Sequence, residues 1–255
     1  MPVDHDSNLP RGLVLASYPR SGSNWIRAIM GHAFFGGDEG FLSIRNLGDT
    51  TPGETVEFRG RPCPVYKTHG RTEEISQSID AAAVITVHRH PLDVLLSALN
   101  FLNARGQAAF FRDGICMSVN DILAAGDVDY YIDKFCAEDG ISQFSRGCGS
   151  YSGYHRDLKQ FCETRPAFEI VYEDMFAAPD GKILDLYRFV TGGGDCDAGL
   201  IRRGAEAQSS QFLSLQKTAY THRTLLSAQQ IARFRAGYRD TLEAMGYCDD
   251  REITA

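Results

Sequence analysis

Long apolar runs are missing from this chain. The longest, Ala81–Val87, falls well short of the ~20 residues needed to cross a bilayer, so a membrane span is not expected. Cys-x-x-Cys pairs are absent too, and the 7 cysteines are odd in number and scattered, which argues against a zinc site or a disulfide framework. Basic residues are in the minority, with 26 Lys and Arg against 33 Asp and Glu and a net charge of -7. That balance makes nucleic acid and anionic membranes poor partners. It still allows a small anionic ligand, because a few cations inside a cleft outweigh the global charge locally. The N-terminus, MPVDHDSNLPRG, lacks the apolar core of a signal peptide, so a cytoplasmic location is expected.

What is present reads as strands alternating with helices. Leu13–Ser17 has the composition of a buried strand, and the polar stretch SYPRSGSNW follows it directly. From Asn24 the spacing of Trp25, Ile29, Met30 and Ala33 predicts a helix that Gly36-Gly37 ends. Residues 36–64 are rich in Gly, Pro and Thr and read as a long connection. Val65–Lys67 is a short strand by composition, and AVITVH, 83–88, is the most strand-like segment. Pro91 then opens a helix carrying Leu92, Leu95, Leu96, Leu99 and Leu102 at helical spacing. FEIVY, 168–172, predicts another strand, and 182–190 another helix before Gly192-Gly193-Gly194. Ser227 and Gln230 are spaced as a capping box, with Leu226 and Ile231 as its hydrophobic staple. This alternation implies one α/β domain over 1–255, with a central, mainly parallel sheet flanked by helices. Residues 1–12 read as a flexible tail and 103–160 as a helical cap.

In open α/β sheets, ligands bind beyond the carboxyl ends of the strands. The residues leaving three of the expected strands are therefore the candidates. After the first come Arg20, Ser21, Gly22, Ser23 and Asn24; after the second, Lys67, Thr68 and His69; after the third, Arg89 and, two helical turns on, Ser97. Cations, an imidazole and hydroxyls at one edge suit an anion held at a helix start. The first loop is P-loop-like but departs from G-x-x-x-x-G-K-[ST]: Ser17 replaces the leading glycine and Ser23-Asn24 the Lys-Ser/Thr. A small-molecule kinase would lose its main charge clamp. It stays as an alternative, beside a non-catalytic nucleotide-binding sensor.

These residues resemble, in order, the motifs of sulfotransferases that use 3′-phosphoadenosine 5′-phosphosulfate (PAPS). Y-P-[KR]-S-G-[ST]-x-W is similar to Tyr18–Trp25, K-[TS]-H to Lys67–His69, R-x-P-x-D-x-x-x-S to Arg89–Ser97 and Y-E-D-[ML] to Tyr172–Met175. Ser209-Ser210-Gln211-Phe212 looks like the family's short T-S-F segment, and Gly149-Ser150 like a Gly-Ser before its central helix. The resemblance runs from about residue 13 to 247. It implies a P-loop-like phosphosulfate-binding loop, PAPS as co-substrate with 3′-phosphoadenosine 5′-phosphate (PAP) as product, and no metal. It also implies in-line sulfuryl transfer to a hydroxyl or amine.

By the same resemblance, Arg20, Lys67 and the N–H groups of Ser21, Gly22, Ser23, Asn24 and Trp25 would hold the 5′-phosphosulfate. Arg89 and Ser97 would hold the 3′-phosphate, and Trp25, Tyr172 and Phe212, beside Ser210, would flank the adenine. His69 would be the general base, since an imidazole's ordinary pKa of ~6.5 suits that task at neutral pH. One family element is missing. Where R-K-G-x-x-G-D-W is expected the chain reads QKTAYTHRTLLS, so the cation that replaces it, among Arg202, Arg203, Lys217 and Arg223, stays open. Phe101, Phe110, Phe111, Tyr130, Tyr131 and Phe135 would line an acceptor pocket or form plain core. The expected partner is a small alcohol, phenol or amine.

Overall fold

The computed structural model describes residues 9–36, 40–194, 196–207 and 220–247. In chain order the elements begin β1 (Arg11–Ser17), α1 (Ser23–Phe35), α2 (Gly40–Ser43), β2 (Arg45–Asn46), β3 (Thr55–Phe58), β4 (Arg61–Thr68), α3 (Thr72–Ser78) and β5 (Asp80–His88). After α4 (Pro91–Ala104) and two short 3-10 turns come α5 (Val119–Ala125), α6 (Val128–Glu138), α7 (Ser142–Cys148) and α8 (Tyr151–Cys162). Then follow β6 (Ala167–Val171), α9 (Tyr172–Ala177), α10 (Pro179–Thr191), α11 (Ala198–Ala207), α12 (Thr221–Leu225) and α13 (Ala228–Ala244). Contacts gather these elements into two compact units.

The first unit draws on Met1–Ser17, Gly22–His88 and Asp157–Gln211. It contains a 6-stranded sheet in the order β2-β4-β1-β5-β6, with β3 attached to β4. All pairings are parallel except that of β3 with β4. β1 and β5 are buried along nearly their whole length, which is why their sequences run apolar without alternation. Leu13, Leu15, Ile85, Val87 and Ile170 meet Ile26, Ile29, Met30, Ile183 and Leu186 in one core. Three elements differ from the sequence reading. Arg11 and Gly12, expected in the tail, are the first residues of β1, which pairs with Asp80 and Ala81. The expected connection 36–64 holds β2 and β3, and β4 starts at Arg61, several residues before Val65. Pro62 and Pro64 disguise that start, and Arg59 and Gly60, both at positive φ (52° and 75°), make the turn into it.

The second unit draws on Tyr18–Ser21, Arg89–Arg156 and Phe212–Ala255, and is helical among its described residues. Leu92, Leu95, Leu99, Ile132, Phe135, Tyr151 and Phe234 are buried in it. The aromatic residues divide: Phe110, Phe111, Tyr131 and Phe135 are core, while Tyr130 is 40% exposed. The capping box forms as its spacing predicts, with Ser227 Oγ accepting from Gln230 N at 3.3 Å and Gln230 Oε1 accepting from Ser227 N at 2.9 Å.

Candidate active site

Strand β1 runs straight into the loop and then into α1. Two loop residues are left-handed, Arg20 at φ 72° and Gly22 at φ 97°. Such turns in a chain build anion-binding concavities from backbone N–H groups. A non-glycine residue at positive φ stores strain of order 1 kcal/mol or more, the kind of cost that clusters at functional sites. Gly22 is the N-cap of α1 and has no side chain to cap with, and the first turn contains no acidic residue. The first N–H groups of the helix thus lack the usual side-chain acceptor, and the dipole there favours an anion. Ser21 is fully buried, and its hydroxyl has no hydrogen-bond partner among the described residues. An orphaned buried hydroxyl, an uncapped helix start and no competing carboxylate fit a phosphate or sulfate group.

Within the first unit, Tyr172 packs on the loop's glycine. A Cβ on Gly22 would lie 2.3 Å from Tyr172 Cδ2, so no larger residue fits without displacing the ring. Trp25 meets Tyr172 edge to face at 5.4 Å between centroids and Phe176 at 6.0 Å. Its indole Nε1–H donates to the Ala205 carbonyl of α11 at 3.3 Å. Trp25 and Tyr172 therefore form a corner, with no gap between them for a third ring. Phe176 completes it, and nothing in the sequence singled Phe176 out.

The end of β4 carries the other pair. Lys67, opposite Leu15 in the ladder, is buried, and its Nζ lies 2.9 Å from His69 Nε2. Spacing of two at a strand end puts both side chains on one face, as expected. His69 Nδ1 lies 2.7 Å from the Ser17 carbonyl oxygen and 3.4 Å from Ser17 Oγ. A carbonyl can only accept, so the proton sits on Nδ1 and the Nε2 lone pair faces the lysine ammonium. That is the neutral, basic form of the imidazole. The other strand-end histidine, His88, is engaged with Glu169 at 3.0 Å.

In the second unit, Arg20 Nε donates to Ser97 Oγ at 3.1 Å, and its guanidinium lies 4.8 Å over the Phe101 ring. Ser97 and Phe101 stand four apart on one face of α4. Arg89 Nη1 donates to the Arg20 carbonyl at 3.4 Å, and the Arg89 carbonyl accepts from Tyr151 OH at 2.7 Å. Burial, and then the positive charge of Arg89, lower the Arg20 pKa to about 10, which still leaves it charged at neutral pH. Tyr18 anchors the loop: it is fully buried, its OH accepts from Ile141 N–H at 3.1 Å, and it meets Tyr151 edge-on at 4.9 Å.

The remaining sequence candidates are placed less informatively. Ser209, Ser210, Gln211, Phe212 and Lys217 lie outside the described residues. Arg202 pairs with Asp180 at 3.2 Å on the exposed face of α11, Arg203 is exposed, and Arg223 lies over the Tyr220 ring at 4.1 Å. Among the described residues no group of three or more His, Cys, Asp or Glu could hold a metal ion, and no helix is long and apolar enough to cross a membrane.

A parallel α/β sheet whose first strand feeds an anion-type loop and helix start, with a lysine–histidine pair ending the strand beside it, defines the class of P-loop-like proteins. Comparison with known proteins narrows this. The sulfotransferase domain family matches residues 10–193, and the chain belongs to that family. Sulfotransferase 1A1 of Rattus norvegicus is 25% identical across 74% of the chain, and that of Mus musculus is 25% identical across 71%. The matched stretches span 62% and 60% of those relatives' own lengths. Mouse sulfotransferase SULT7A1, solved in complex with PAP, shares the fold with a TM-score of 0.59, 15% identity, and coverage of 93% of this chain and 86% of its own. A retinol dehydratase, solved with androsterone and PAP, gives 0.52 at 11% identity, covering 98% and 84%.

Proposed function

We propose that the chain acts as a single PAPS-dependent sulfotransferase domain, cytoplasmic, acting on a small alcohol, phenol or amine. The observation that carries this reading is the His69 arrangement: Nδ1–H held by the Ser17 carbonyl and Nε2 turned to Lys67. The order of the motifs along the chain, and the fit of the loop to an anion, support assigning both units' basic residues to one nucleotide.

In this proposal the N–H groups from Ser21 to Trp25 bind the 5′-phosphosulfate, with Arg20 and Lys67 as cations. Arg89 and Ser97 bind the 3′-phosphate, and the adenine rests on the corner of Trp25 and Tyr172. PAPS supplies the sulfuryl group and a phosphate leaving group. His69 Nε2 takes the acceptor's proton as the acceptor oxygen or nitrogen bonds to sulfur and the sulfur–oxygen bond to the 5′-phosphate breaks. Lys67 turns from His69 to that phosphate and meets the charge that collects there. Until then its ammonium on Nε2 disfavours premature protonation of the base. Arg20 acts through charge alone, because a guanidinium does not give up a proton at neutral pH. The catalytic gain lies in positioning and charge neutralisation. The segment 103–160 shapes the acceptor side.

The test is transfer of labelled sulfuryl from PAPS to a panel of phenols, alcohols and amines. Product with PAPS, and none of a phosphorylated product with ATP and magnesium, supports the reading. Binding of PAP without transfer to any acceptor points to the sensor instead.

A further inference from the structure

Outside the motifs, the second unit contains a buried cluster that the reaction above does not use. Asp93, in the first turn of α4, is 1% exposed, and its Oδ1 accepts twice from one residue, the backbone N–H of His222 at 2.8 Å and Nδ1–H at 2.9 Å. Its other oxygen, Oδ2, has no hydrogen-bond partner among the described residues. The His222 ring stacks on His90 at 4.1 Å, and His90 is the N-cap of α4, its Nδ1 accepting from Leu92 N at 3.2 Å. Arg89 is the next residue back. One histidine on α12 thus grips the start of α4 at both its cap and its first turn.

The charges make this grip consequential. Burial pushes the Asp93 carboxyl up, but the His222 hydrogen bond and then the nearby Arg89 outweigh it, and the net shift is down. Asp93 is therefore an anion within electrostatic range of Arg89, four residues away, the spacing at which arginine and carboxylate meet at a helix surface. A phosphate ligand of Arg89 would compete with that carboxylate. We infer that His222 is a positioning residue for Arg89: it occupies Asp93, stacks on His90, and so holds the helix start with the carboxylate turned away from the arginine. The inference rests on the nucleotide reading above.

The test measures PAP and adenosine 5′-phosphate affinities by calorimetry, and takes their ratio as the grip on the 3′-phosphate. His222→Leu should lower this ratio by about fivefold or more, the scale of one lost charge-assisted contact, and raise the KM for PAPS with kcat at saturation unchanged. Adding Asp93→Asn to His222→Leu should restore most of the ratio, since a neutral amide no longer competes for Arg89. His222→Asn, whose amide N–H stands near the place of Nδ1–H, should keep it. A folded His222→Leu that retains the full ratio overturns the inference, and so does a loss that Asp93→Asn fails to repair, because the role is then packing alone. If His222→Leu does not fold, His222→Gln, with its donor displaced, should lose the ratio that His222→Asn keeps; equal behaviour of the two overturns the inference. An unsubstituted protein that binds both nucleotides equally removes the nucleotide reading first and this inference with it.

Discussion

The end of β4 and the start of α4 both present basic side chains, and they hold them by different means. At β4 the backbone does the holding: a ladder fixes Lys67, and the Ser17 carbonyl of the adjacent strand fixes the tautomer of His69. At α4 side chains hold other side chains: Ser97 and Phe101 hold Arg20, while Tyr151, the Arg20 carbonyl and the His90 cap hold Arg89. A carbonyl at a strand end cannot be removed by substitution, and it sets a proton's position. A cluster of side chains can be altered one contact at a time, and it sets an affinity. The first region is suited to chemistry and the second to binding, and substitutions should separate the two.

The largest effect belongs to the strand end. His69→Ala should lower kcat by roughly 10²–10⁴-fold, the range for general-base catalysis, with PAP affinity nearly unchanged. The loss should shrink for acidic phenols that are already deprotonated at the assay pH. Next comes Arg20→Ala, expected to cost about 10² in kcat/KM, the scale of one transition-state contact. Arg20→Lys keeps the charge, loses the Nε–H bond to Ser97, and should retain substantial activity; parity of Arg20→Ala with the parent would remove the loop from the site. Gly22→Ala forces a Cβ into the Tyr172 ring at a left-handed position. It should cost about 1–3 kcal/mol, read as a lower Tm and weaker nucleotide binding together. Ser97→Ala is the mildest, since one neutral hydrogen bond is worth about 1 kcal/mol, and it should weaken PAP binding about fivefold while leaving kcat alone. A kcat defect in Ser97→Ala would blur the division between the regions.

The sequence showed much of this in advance and hid the rest for physical reasons. The motif side chains Arg20, Lys67, His69, Arg89 and Ser97 were visible as residue types at strand ends, and two-residue spacing already put Lys67 and His69 on one face. The Ser17 carbonyl was invisible because every residue has one. The left-handed φ of Arg20 had no signal, since only glycine advertises that conformation. β3 and the first half of β4 were hidden by Pro62 and Pro64, which are tolerated there because β4 meets β3 only over that stretch. The contact between His222 and Asp93 spans 129 residues, and no local pattern encodes such a pairing. Gly22 was read as backbone freedom alone, yet Tyr172 also needs its missing side chain.

The central claim is that the two regions serve one nucleotide, recognised by its 3′-phosphate, and calorimetry on the unsubstituted protein tests it most directly. PAP should bind at least about tenfold more tightly than adenosine 5′-phosphate, a difference of ~1.4 kcal/mol. Equal affinities for the two would contradict the account.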